Sequence, residues 1–363
     1  MGVDTAHLIW LNYKTTKICN IMSETNYSQL YQKLTKGLTQ KTKDIFDRRF
    51  GVKTGEQETL ESIGKSMDIT RERVRQIEEA GFTFIKKQNK ELLNQTFETL
   101  VSYFEAKGGF KKEDIALEEI GGKKTKPYVL FLLTLGNQFS RICAKKDFYS
   151  FWLTTQHPEV KIKETLGALV ADISKQGSPL LKKDFSASFT LKSKLNKEAL
   201  LSYLEVSKRI QENKEGKIGL IDWPEIKPRG VRDRAFLVFK KHQKPLHFTK
   251  VAEMIDELEY NLPNKKTYPQ TVHNELIKDA RFVLVGRGTY ALQEWGYNPG
   301  TIKDVITKVL GNKKEALHKD EIVKEVLLQR MVAKNTVLMN LNNKKYFQKD
   351  EAGKYLLRKT QTA

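Results

Sequence analysis

The ten residues ITRERVRQIE, Ile69 to Glu78, crowd three arginines, two glutamates and a glutamine into one short segment. These side chains carry hydrogen-bonding heads rather than a nucleophile with a neighbouring base. A guanidinium fits the O6/N7 edge of guanine, a carboxylate accepts from the amine of cytosine, and a carboxamide fits N6/N7 of adenine. At about 100° per residue, Thr70, Val74, Ile77 and Gly81 fall on one side of a helix, while Arg71, Glu72, Arg75, Gln76 and Glu79 fan across the other. The apolar stripe is narrow, so the helix needs a small scaffold behind it. The bland alternative is a solvated charged face with no ligand.

The scaffold is legible just upstream. TLESIGKSM reads as a short amphipathic helix with Leu60 and Ile63 inward and Gly64 permitting close approach. Asp68-Ile69-Thr70 then makes a tight turn, with Thr70 as N-cap of the second helix. That is the spacing of a helix-turn-helix, whose second helix enters the major groove. The longer run RRFGVKTGEQETLESIGKSMDITRERVRQIE, Arg48 to Glu78, resembles region 4 of bacterial primary-type sigma factors, the domain that reads the promoter minus-35 element. The resemblance covers about residues 28 to 90. It implies that Arg71, Glu72 and Gln76 read bases, and that Thr70, Arg73 and Arg75 sit on phosphates or assist at base edges. It also implies promoter duplex DNA with a minus-35-like element, and RNA polymerase, as partners. Two departures follow. GFTFIKK places Thr83 and Phe84 where the family has cations, and Phe82, Phe84 and Ile85 read as a docking face for what comes next. No segment resembles the sigma domain that melts the minus-10 element, which argues for an accessory factor over a stand-alone sigma factor.

Beyond residue 90 the chain repeats itself. KPLHFTKVAEMI (Lys244 to Ile255) matches EALHKDEIVKEV (Glu315 to Val326), and the pairs Leu276/Leu341, Phe282/Phe347, Tyr290/Tyr355 and Leu292/Leu357 keep one offset of 65. An upstream copy sets Gly216 opposite Gly288 and Trp223 opposite Trp295, both 72 apart. A fainter fourth copy opens at GGFKKEDIALEEI, Gly108 to Ile120. Each unit reads as three helices closed by a hairpin, RFVLV, GRG and TYALQEW being the clearest example, which makes a winged helix. Phe282, Val283, Val285, Tyr290, Leu292 and Trp295 are expected in the core.

KPLHFTKVAEMI and TVHNELIKDARFVLVGRGTYALQEWGY resemble the HARE-HTH family, winged helices found in the delta subunit of Gram-positive RNA polymerase, in eukaryotic chromatin proteins and fused to restriction enzymes. WPEIKPRGVRD is similar to the linker of bacterial proteins that join sigma region 4 to such modules. That family is associated with DNA or polymerase binding. Physical reasoning adds candidates: Arg287 at the hairpin tip, and Lys265 and Lys266 before the third helix, all for phosphates. The competing role for these lysines is solubility. His273 is expected at the surface.

The fold class expected is therefore mainly α with small β wings, a helix-turn-helix followed by tandem winged helices. The expected division is a loose tail over 1–25, the helix-turn-helix over 26–92, a degenerate winged helix over 93–157, and winged helices over 158–227, 228–298 and 299–363. Met22 opens a polar start, so residues 1–21 read as an upstream over-extension or part of the tail. A net charge of +20 with pI near 9.6 calls for a polyanionic partner, and its sequence-independent share of affinity comes from the phosphate backbone. No apolar run suits a membrane span, and two cysteines in 363 residues fit a reducing compartment, hence a cytoplasmic, nucleoid-associated protein. Neither zinc spacing, nor a phosphate-cradling loop, nor a catalytic serine elbow occurs, so no metal, cofactor or enzymatic activity is expected. The expectation is a sequence-specific transcription factor acting at promoters. The alternative is a polymerase-independent repressor, nucleoid-associated protein or modified-DNA sensor.

Overall fold

The computed structural model describes residues 25–193, 195–258, 266–313 and 315–358. The chain divides into two compact units, Met1–Ile221 and Asp222–Ala363.

The first unit begins with four helices: α1 (Tyr27–Leu34), α2 (Gln40–Phe50), α3 (Leu60–Ser66) and α4 (Arg71–Gln88). Each starts at a residue suited to capping. Asn26, Thr39, Thr59 and Thr70 each accept a hydrogen bond from the backbone N–H three positions on, satisfying a donor that the first turn leaves open. Ile45, Ile63 and Val74 are fully buried together, with Leu60, Met67, Ile69 and Ile77 around them.

Next come α5 (Lys90–Ala106), β1 (Phe110–Lys112), α6 (Glu113–Leu135), β2 (Phe139–Ile142) and β3 (Phe151–Thr154). α6 is two helices in one, broken at Gly122, whose φ of 68° a side chain would resist. The unit closes with α7 (Glu159–Gln176), β4 (Leu180–Leu181), α8 (Lys182–Ser193), α9 (Lys197–Val206), β5 (Ile210–Glu212) and β6 (Lys217–Leu220).

The second unit holds α10 (Gly230–His242), β7 (Leu246–His247), α11 (Phe248–Asp256), α12 (Pro269–Lys278), β8 (Phe282–Gly286) and β9 (Thr289–Leu292). It ends with α13 (Ile302–Lys313), α14 (Lys319–Gln329), α15 (Lys334–Leu341), β10 (Phe347–Lys349) and β11 (Tyr355–Leu357).

Strand register confirms the periodicity of the sequence. Ile210 pairs Leu220, Phe282 pairs Leu292 and Phe347 pairs Leu357, equivalent antiparallel partners in three successive wings. The wing turns carry Gly216, Gly288 and Gly353 at equivalent places, all at positive φ (73°, 66° and 76°), where a β-carbon would be strained.

The expected two-stranded hairpin is incomplete, however. A short strand before the second helix joins each of three wings, giving the orders β1-β3-β2, β4-β6-β5 and β7-β9-β8. In the last repeat a single bridge from Leu317 to Tyr355 takes that place. Strands of two or three residues are too short to show alternation, which is why periodicity misses them.

Phe282, Val283, Val285, Tyr290 and Leu292 are buried as expected, but Trp295 is only partly so. Val283, Val285 and Ala291 form a second small cluster on the opposite face of the sheet. β8 lies at the edge of its sheet, and the Met331 N–H donates to Val285 O (2.6 Å), laying the last repeat along that edge. Arg330, almost wholly buried, donates to the carbonyls of Asn298 and Gly300 (2.6 and 2.9 Å) and so ties down the segment between the two repeats.

In the first unit the third helices are covered. The second half of α6 turns Val129 and Leu133 toward its own repeat and Tyr128 and Phe131 toward the helix-turn-helix. Phe131 meets Tyr31 (4.9 Å between ring centres), Phe50 (5.3 Å), Phe46 (5.5 Å) and Phe82 (5.9 Å). The helix-turn-helix and the first repeat thus share one core. The docking face expected at Phe82 and Ile85 is real, whereas Phe84 is only partly buried.

α9 uses the corresponding side against the first repeat. Glu198 accepts from Lys107 (2.7 Å), Ser202 is buried, and Glu205 accepts from Lys111 (3.0 Å). A β-carbon on Gly108 would lie 2.5 Å from that of Ala199. Phe110 and Tyr203 pack edge-on across the same seam (4.7 Å).

Candidate nucleic-acid interface

α4 is held from behind and open in front. At its start, Asp68 takes φ 54°, a left-handed conformation that a short polar side chain tolerates, and Thr70 Oγ1 accepts the Arg73 N–H at 3.1 Å. Gly64 lets the turn close against α3, since a β-carbon there would lie 2.7 Å from Ile69 O. Val74 is buried, Ile77 and Glu78 partly so, and Gly81 sits so close to Phe46 and Thr42 that a side chain would not fit. Arg48 pairs with Glu58 in bidentate fashion (2.8 and 2.7 Å), pinning the segment that leads into α3. Tyr31 donates to Asp47 (2.8 Å), which also pairs with Lys53 (2.7 Å). Burial, reinforced by Asp47, pushes the Tyr31 hydroxyl well above its ordinary range, and burial takes Tyr27 to about 12. Both therefore stay neutral donors at physiological pH.

The front of α4 gathers the sequence-predicted residues. Arg71, Glu72, Arg73, Arg75 and Gln76 are all exposed on its first turns, with Thr70 capping the same end. They are not independent. Arg75 grips Glu72 through two bonds (2.9 and 2.6 Å) and also reaches Glu79, while Arg73 donates to Gln76 (3.2 Å). The hydrogen bonds from Arg75 hold Glu72 below the usual carboxylate range, so it is an acceptor at neutral pH. Behind them Glu78 faces Arg49 at 3.6 Å, and burial raises its carboxyl. At the far end of the helix Lys86 donates to Asn137 (2.6 Å) in the first repeat, fixing the direction of the rod.

The remaining predicted residues lie in the second unit. Arg287 is exposed at the tip of the β8–β9 wing and Lys266 is exposed ahead of α12, while Lys265 falls outside the described residues. His273 departs from expectation: it is half-buried, its ring 4.7 Å from Phe248 and 5.9 Å from Tyr290, so it packs the wing onto α12. Sequence reasoning also passed over the outward side of α15, whose Met339 is 75% exposed. Its signal is an apolar residue in a polar turn.

Among the described residues no His, Cys, Asp and Glu cluster could hold a metal. Thr154, Glu105 and His157 lie together, but both Thr154 (2.8 Å) and His157 (2.9 Å) bond the carboxylate, so no imidazole activates the hydroxyl. No helix among the described residues is long and apolar enough to cross a membrane.

The chain's likeness to known families falls on these same elements. Residues 36–87 match the family model described as sigma-70, region 4, spanning α2 to α4. Residues 230–295 match the HARE-HTH model, described as the helix-turn-helix domain of ASXL and restriction endonuclease proteins, which spans α10 to the end of the β8–β9 wing. The chain therefore carries a sigma-70 region 4 helix-turn-helix and a HARE-HTH winged helix, two DNA-binding domain types, in one polypeptide.

Proposed function

We propose that this protein is a sequence-specific DNA-binding transcription factor, without enzymatic activity, that acts at promoters as a sigma-like or RNA polymerase accessory factor. Arg71, Glu72 and Gln76 read base edges in the major groove of a minus-35-like element, and Thr70, Arg73 and Arg75 hold the helix to the flanking phosphates. Arg287, Lys265 and Lys266 add phosphate contacts from the 228–298 winged helix. The modules proposed are 26–92, 93–157, 158–227, 228–298 and 299–363, acting in the cytoplasm on the nucleoid. One observation carries the reading. The first turns of α4 present every one of their charged side chains to solvent, while their back is capped, buried and braced. The net charge of +20 supplies salt-dependent affinity for the backbone.

Arg71→Ala and Gln76→Ala each weaken binding to the selected site by about 1 to 3 kcal/mol and leave nonspecific duplex binding nearly intact. Titration of both duplexes at matched salt is the check, and equal loss on every sequence rejects base reading.

A second reading, a polymerase-independent repressor or nucleoid protein, is supported by the shared core. The apolar side of α2 and α4 is already covered by α6 and is not open to another protein. Co-purification of RNA polymerase with the intact chain separates the two.

A further inference from the structure

The outward side of the third helix changes occupant along the chain. In α6 it meets the helix-turn-helix, and in α9 it meets the first repeat. The same positions, counted back from the first wing strand, are Gln270, Thr271 and Asn274 in α12 and Asn335, Thr336 and Met339 in α15. All six are exposed. Their helices are seated from the other side, by Val272 and Leu276 in one and Val337 and Leu341 in the other, so folding does not call on the outward residues.

We propose that these two open faces form a second duplex-reading surface with a preference for A·T-rich major groove. Carboxamides at Gln270, Asn274 and Asn335 match adenine N6/N7, and the methyl groups of Thr271, Thr336 and Met339 suit the thymine methyl. Charge agrees with the chemistry. From Lys334 to Lys345 the chain carries three lysines and no acid, so the helix and the turn after it favour phosphate on both flanks. The matching positions in α9 instead carry Glu198 and Glu205, which are paired with lysines of the first repeat. An obligate protein partner would call for a more apolar centre than one methionine among amides and hydroxyls.

This surface rests on the chain being a DNA-binding protein, but not on α4 reading bases. The test is selection from a random duplex library at fixed salt, using the full chain. The variants are Gln270→Ala/Asn274→Ala/Asn335→Ala/Met339→Ala and, separately, Arg71→Ala/Gln76→Ala. The expected result is an A·T-rich motif that the quadruple variant loses, with affinity for it falling about 10- to 100-fold. The Arg71/Gln76 variant retains that motif. Lys344→Ala/Lys345→Ala lowers the slope of log affinity against log salt by about 2 on every sequence. The proposal is overturned if the quadruple variant selects the same motifs with unchanged affinity, as it would were the face a protein-docking surface. It is overturned equally if the A·T-rich motif disappears only with Arg71→Ala/Gln76→Ala. Failure of α4 reading has a different signature, in which that variant selects as the wild type does. The substituted residues are exposed, and Asn274→Ala and Asn335→Ala singly provide the same readout should the combined variant melt early.

Discussion

In the first repeat the third helix, the second half of α6, is apolar on both sides and lies between two layers, its own sheet and the helix-turn-helix. In the last repeat α15 keeps only the inner stripe, Val337 and Leu341, and turns amides, a threonine and a methionine to water. Strand register and wing turn are otherwise equivalent. One scaffold thus supports opposite uses, and a handful of outward side chains decides between them. A winged helix by itself does not identify which face binds nucleic acid.

The largest break in this comparison comes at Phe131. Phe131→Ala removes a buried ring from the layer between α6 and the helix-turn-helix and costs about 3 to 5 kcal/mol. Hydrogen exchange is expected to quicken in α1 and α2 first, while the unfolding of the second unit is unchanged. Uniform quickening across the whole chain would show that the shared core is not a local layer.

Lys111 gives the next largest effect. It is 2% exposed, and its amine pairs with Glu205 and Glu119, at a place where later repeats set Leu180, Leu246 and Leu317. Lys111→Ala is expected to cost about 2 to 3 kcal/mol, near the low end for a broken buried pair because Glu205 keeps some solvent. Lys111→Leu with Glu205→Leu restores most of that in denaturant melts. A neutral Lys111→Ala would show the pair to be dispensable.

The smallest effect is pH-dependent. The hydrogen bond from Lys107 holds Glu198 below its ordinary carboxyl value of 4.5. A carboxyl whose folded pKa is depressed adds stability above its unfolded pKa and loses it as pH falls through the folded one. The seam between the first two repeats therefore weakens below about pH 4.5. Glu198→Gln flattens that part of the acid limb, and a melting profile of unaltered shape would assign the acid sensitivity elsewhere.

Much of this was written in the sequence. Ile69–Glu78 was legible because turn, cap and period agree over a short span, and the repeats because Phe282/Phe347 and Tyr290/Tyr355 hold one offset through buried positions. Phe82 and Ile85 announced a docking face. What they dock against was not legible, since apolar residues such as Phe131 look alike whether they face their own core or a neighbour's. The side of α9 that meets the first repeat was hidden for the opposite reason: Glu198 and Glu205 read as solvated charges until Lys107 and Lys111 are found opposite. His273 misled similarly, because a half-buried ring stacked on Phe248 is spelled no differently from one at the surface.

The strap at Met331 carries a consequence for life at high local concentration. A protein drawn to a polyanion by its charge is gathered beside its own copies, where a bare strand margin would template cross-chain ribbons. With Val285 O already engaged and the chain running alongside, β8 has no vacant rail for another molecule's backbone to join. Crowding along a duplex then need not end in fibrous self-association through this wing.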